Sequence, residues 1–174
     1  MATGRPPQDV LDRIAAADVF ETGIPIVDGK YTLLVKKIFF GDKRKGLMFI
    51  SDFEVLTCEQ TNKDVVPNAV GTSCGYAVAF YGNGADMADG NVKDFILNGF
   101  VGEVFLPKGS PLRVQQNERV KKILSAAIED DQPTRGMIVG CVATTKPQSK
   151  DKTKDFTHHN WTKVESTEAE IKAR

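Results

Sequence analysis

Lysines set beside aromatic rings are the chemically loaded part of this chain. In residues 135–164, RGMIVGCVATTKPQSKDKTKDFTHHNWTKV, the cations Lys146, Lys150, Lys152 and Lys154 occupy a turn-rich stretch. Phe156, His158, His159 and Trp161 follow at once. Ammonium groups meet phosphates and flat rings stack on unpaired bases, so the pattern suits a single strand of nucleic acid. The same letters also describe a solvated hairpin loop followed by a strand that turns its Trp into a core. A second basic cluster comprises Lys36, Lys37, Lys43, Arg44 and Lys45, with Tyr31, Phe39 and Phe40 close in sequence. Tyr76, Phe80 and Tyr81 belong to a neighbouring strand-like segment.

Other chemistries find little support. The two histidines are adjacent, so on a strand they point to opposite faces and share neither a metal nor a proton relay. No GxSxG, HExxH or phosphate-loop pattern occurs; GNGADMADG, residues 82–90, lacks the closing Gly-Lys-Ser/Thr. Asp86 with Asp89, or Asp130 with Asp131, are carboxylate pairs of the kind that loops and helix ends collect. No catalytic set, metal or other cofactor is expected. Cys58, Cys74 and Cys141 are odd in number and widely spaced, which reads as free thiols in a reducing compartment.

With 23 basic and 23 acidic residues the chain is neutral, which argues against a protein that coats duplexes through overall charge. No apolar run approaches the roughly 20 residues that span a bilayer. The opening MATGRPPQDV lacks the apolar stretch of a signal peptide, so a cytoplasmic protein without membrane contact is expected.

These residues need elements to position them. Pro6 and Pro7 suit the start of a short helix striped by Val10, Leu11 and Ile14. Residues 30–40 and 47–57 read as two strands joined by the basic turn GDKRKG, and 73–81 as a third. Strict alternation puts Tyr31, Leu33, Val35, Lys37 and Phe39 on one face of the first strand. Of the pairs Phe39–Phe40 and Phe80–Tyr81, one ring each must then point outward. The glycine-rich run 82–90 reads as a flexible connection. Helices are expected from about residue 91 to 100 and from 112 to 130, and two strands across 135–164. The tail STEAEIKAR reads as frayed.

Helical matter between the third and fourth of five strands is the layout of an oligonucleotide-binding barrel. The expected fold is thus mostly β: a five-stranded barrel of that type with a helical insertion and a short N-terminal helix. The expected organisation is an arm and helix over 1–22, a binding domain over 23–165, and a flexible tail over 166–174.

The segments GKYTLLVKKIFFGDKRKGLMFISDFEVL, PNAVGTSCGYAVAF, VKDFILNGF and the final TKP…K-DFT-HNW run resemble a group of bacteriophage single-stranded DNA-binding proteins. The resemblance spans residues 29–164 and consists of apolar and polar positions, without a catalytic signature. It implies a protein that coats single-stranded DNA in phage replication or recombination, with replication or recombination proteins and further copies of itself as partners. It implies contacts from basic and aromatic residues of the barrel face: Lys36, Phe39, Lys43, Arg44, Lys45, Tyr76, Tyr81 and the final hairpin. In that hairpin the candidates are Lys146, Lys150, Lys152, Lys154, Phe156, His158 and Trp161. The tail departs from the acidic, apolar-ended peptide of cellular single-strand binders. Two other readings fit the same residues. One is a phage structural or assembly protein using its aromatics as a protein interface. The other is a nucleic-acid enzyme acting through Asp86 or Asp89.

Overall fold

The computed structural model describes residues 24–43, 45–149 and 151–174, with Lys43 as backbone alone. The arm and helix expected over 1–22 lie outside the described residues. Five strands form one antiparallel sheet: β1 (Gly29–Lys43), β2 (Gly46–Glu59), β3 (Ser73–Ala79), β4 (Ile138–Pro147) and β5 (Asp155–Lys163). Their order across the sheet is β3-β2-β1-β4-β5. The β-branched and aromatic residues that mark these segments suit a pleated surface with one buried side.

β1 departs from simple alternation. Its register against β2 shifts between Thr32 and Leu33 and again between Val35 and Lys37. Val35 stands opposite Phe53 and Lys37 opposite Asp52, so Lys36 is the extra residue of a bulge. Tyr31, Leu33 and Val35 face the core before the bulge, and Ile38 faces it afterwards. Lys37 and Phe39 therefore turn to the outer face, correcting the arrangement that strict alternation gives.

The core side is aromatic. Phe95 is fully buried, with ring centroids 4.7 Å from Trp161, 5.2 Å from Phe100, 5.8 Å from Phe49 and Tyr76, and 6.0 Å from Phe53. Phe95 comes from the insertion between β3 and β4. That insertion holds a short 3-10 turn, helix α1 (Ala85–Asp94), a π-helical segment (Phe95–Val101) and helix α2 (Arg113–Ala127). Gly90 lies inside α1, so the glycine-rich run is largely helix where a flexible connection was expected. Packing of Ala88 and Val92 against the sheet outweighs the weak helix propensity of glycine.

No ladder joins β3 to β5, so the sheet does not close on itself. The chain leading into β1 runs along that gap. Pro25 bridges Gly75 in parallel, and the Gly75 N–H donates to the Ile24 carbonyl at 2.9 Å. The Asn68 side chain accepts from the Val27 N–H at 3.0 Å and donates to the Pro25 carbonyl at 3.1 Å. The Asp28 carboxylate accepts from the Thr145 N–H at 2.7 Å and from the Asn62 amide at 3.0 Å. The Asn62 and Thr145 bonds hold its carboxyl below the ordinary value. Tyr31 completes the clasp: its hydroxyl donates to the Val27 carbonyl at 2.9 Å and accepts from the Asn68 N–H at 3.1 Å.

This clasp explains Gly29. A Cβ there would lie 2.7 Å from Cζ and Oη of Tyr31, whose ring is pinned by its hydroxyl. Gly29→Ala is expected to cost about 1–3 kcal/mol by overpacking. A denaturant midpoint equal to that of the parent protein would count against this account.

The C-terminal segment is not frayed. Thr167 and Glu170 form a capping box on helix α3 (Glu168–Lys172). Ile171 packs with Leu34, Leu56 and Ile138 in a second apolar cluster on the outer face of the sheet. This corrects the flexible tail expected over 166–174; an apolar residue at the right turn of a capped helix is enough to dock it.

Candidate nucleic-acid interface

The outer face of the sheet carries most of the nominated residues, in two groups. The first lies toward the β1–β2 turn. Phe39 is half-buried there, and Lys37 Nζ stands 5.1 Å from its ring centroid. Tyr81 is also half-buried; its hydroxyl reaches Met48 Sδ at 3.4 Å. Its ring lies against Gly46, whose φ of 130° belongs to the left-handed region and whose added Cβ would sit 3.1 Å away. Phe40 and Phe80 are the inward members of the two adjacent pairs and pack against the core. Lys36 is exposed and pairs with Glu54 at 3.4 Å, and Lys172 reaches the other oxygen of that carboxylate at 4.0 Å. Lys45 is exposed at the turn. Arg44 and the Lys43 side chain lie outside the description.

The second group lies at the β4–β5 end. Lys146 stands directly opposite Phe156, and Thr144 opposite His158. Phe156 is 43% exposed, and His158 shares its face, with one ring nitrogen 3.0 Å from Asn160 Oδ1. Lys152 and Lys154 are exposed in the loop between the strands, Lys154 paired with Asp151 at 3.8 Å. Asp151 is held below the ordinary value, first by its hydrogen bond from the Thr153 side chain. Lys150 lies outside the described residues.

Two nominated residues face the wrong way. Trp161 is 4% exposed and Tyr76 8% exposed, both on the core side, so neither ring can stack on a base in this structure. Their centroids lie 5.0 Å apart, and both contact Phe95. Burial pushes the Tyr76 hydroxyl well above its ordinary value. His159 shares the Trp161 side and stacks on it at 5.8 Å. The split follows from alternation along β5 once Trp161 takes the inward position: 157, 159 and 161 turn in, 156, 158 and 160 turn out.

The groups do not share one end of the sheet. β1 pairs with β4 from Gly29 opposite Ala143 to Leu34 opposite Ile138, whereas its turn with β2 lies at Lys43 opposite Gly46. The β4–β5 loop thus neighbours the start of β1 and the basic β1–β2 turn its end. The Ile171 cluster lies between them. Lys37 belongs with the first group, and its spacing of two from Phe39 was the signal available in the sequence.

Among the described residues, no group of three or more His, Cys, Asp or Glu gathers as metal ligands would. Cys58, Cys74 and Cys141 are free, and burial pushes the Cys74 thiol up to about 12. No described helix is long and apolar enough to cross a membrane. Compared with family models, with curated proteins and with solved structures, the chain finds no match in any of the three.

Proposed function

We propose that the protein binds and protects single-stranded DNA without strong sequence preference, through the outer face of its sheet. The observation that carries this reading is the cross-strand pair of Lys146 with the exposed ring of Phe156, beside His158 and the lysines of the adjoining loop. A base stacks on such a ring while the ammonium group meets the flanking phosphate. Phe39 and Tyr81, with Lys37 and Lys45, offer a second set of the same types. The strand order supports the reading. An oligonucleotide-binding barrel cut open between its third and fifth strands has this order, with helix between strands three and four. Coating of DNA in phage replication or recombination is the cellular role this activity would serve.

Anisotropy of a labelled oligothymidine tests the proposal. Saturable binding that weakens with salt and is not competed by duplex is the expected result. Phe156→Ser is expected to weaken binding about fivefold to hundredfold, since a stacked base contributes roughly 1–3 kcal/mol. Lys146→Ala should flatten the salt slope by about one phosphate contact. An oligonucleotide that does not bind even at low salt would sink the reading.

A further inference from the structure

A second surface lies on the helical insertion, on elements that pack against the core side of the sheet. Val104 is 75% exposed, Phe105 47%, Leu112 56% and Val114 69%. Scattered apolar side chains on a surface are unremarkable, whereas Val104, Phe105 and Leu112 gather on the side of the insertion that Gln116 faces and form a patch that asks for a partner.

The patch is held rigid from beneath. Gln116 is 1% exposed. Its side chain accepts from the Leu106 N–H at 3.1 Å and donates to the Val104 carbonyl at 2.9 Å and to Glu103 at 3.2 Å. One buried amide thus fixes the backbone on both sides of Phe105 and leaves the side chains of Val104 and Phe105 turned outward. Such preorganisation lowers the ordering cost of binding. Leu112, one turn before Gln116, lies on the same side of α2, whereas Val114 lies on the opposite side of the helix and outside the patch.

The rim of the patch is cationic. Lys93 Nζ stands 5.6 Å from the Phe105 ring centroid and donates to Asn117 Oδ1 at 2.6 Å. Burial and then the nearby charge of Arg113 lower the Lys93 ammonium below its ordinary value. Neither Lys93 nor Arg113 has a carboxylate within ion-pair distance among the described residues. Two like charges beside apolar side chains are relieved by an anion that also buries the apolar area.

We propose that this patch docks an acidic amphipathic segment of a partner protein, its carboxylates meeting Lys93 and Arg113 and its apolar side chains covering Val104, Phe105 and Leu112. Aliphatic Val and Leu offer no stacking plane, which favours a peptide over a nucleic acid here. The proposal does not depend on single-strand binding by the sheet.

Panning a displayed library of random short peptides against the whole protein tests it. The expected result is enrichment of sequences rich in Asp and Glu interleaved with Leu, Ile or Phe. A synthetic copy of an enriched peptide should lose about tenfold or more in affinity against Phe105→Ser, and similarly against a Lys93→Glu, Arg113→Glu double variant. Both variants change exposed or rim positions, and an unchanged thermal melt shows that each is folded. Enrichment of neutral or basic peptides, no enrichment, or affinity indifferent to both variants overturns the proposal. So does sedimentation showing that the patch seals against a second copy, or competition at the patch by an oligonucleotide.

Discussion

Phe95→Ala is expected to remove about 3–5 kcal/mol of folding stability, the range for deleting a large buried ring whose site cannot collapse. Five aromatic partners surround this side chain, from β2, β3, β5 and its own π-helical segment. Each comes from an element held by its own ladder or helix, so inward relaxation is limited. Against a total stability of roughly 5–15 kcal/mol, the loss brings the domain close to unfolding. Urea denaturation monitored through Trp161 would measure it, since that ring is buried and its centroid lies 4.7 Å from Phe95. A Phe156→Ala control should stay within about 0.5 kcal/mol of the parent, because its ring lies on the surface. If the two variants prove equally stable, the packing described for the insertion is wrong.

The second large effect is an acid limb set by His159. Burial, and then the nearby charge of His158, lower its pKa to about 4 from the ordinary 6.5, while a hydrogen bond with the Ile26 backbone works the other way. The unfolded chain takes a proton on this ring below about pH 6.5, whereas the folded ring stays neutral down to about pH 4. The unfolded state therefore binds more protons in that window. Stability is full above it and falls as pH drops through it, by roughly 3 kcal/mol at most. Asp94 acts in the opposite sense at the acid end, since burial raises its carboxyl and the folded state takes that proton first. Asp28 adds its own loss only lower, below the ordinary 3.8, because its carboxyl is depressed in the folded state. Denaturant midpoints between pH 7 and 4.5 should decline for the parent protein and stay nearly level for His159→Phe, which keeps a neutral ring against Trp161. Parallel slopes for the two would show that another group carries the limb.

Much of the strand layout was legible from residue types alone. Runs rich in Val, Ile, Phe and Thr between Gly- and Pro-bearing turns mark all five strands. The alternation of Phe49, Phe53 and Val55 against Asp52 and Glu54 gives the facing of β2 correctly. On α2, Val120, Ile123, Leu124 and Ala127 recur at helical spacing and turn to the core, while Ile128 at the same spacing stays exposed. The errors of facing arise where the sequence does not say which side of a strand a neighbouring element will cover or where a strand is bulged. On β1 a single bulge at Lys36 reversed the facing of Lys37 and Phe39, and no residue type announces a bulge. On β5 Trp161, one of the stacking candidates, went inward because Phe95 arrives from a segment more than sixty positions earlier.

The candidate surface divides in the same way. Local chemistry supplied the reagents: cations in two turns and rings beside them. It also set apart the members of each adjacent aromatic pair, since neighbours on a strand must face opposite ways. Assignment of a side needed the assembled fold. Register decided that the two basic turns lie at opposite ends of β1, and long-range pairing decided that residues 24–28 run along the gap between β3 and β5. Docking of Ile171 turned a polar tail into a helix lying on the outer face. The physical reason is that propensity and periodicity act over a few residues and are written in neighbouring letters. Burial is shared between segments far apart in the chain, and only the packed structure says which of them meet.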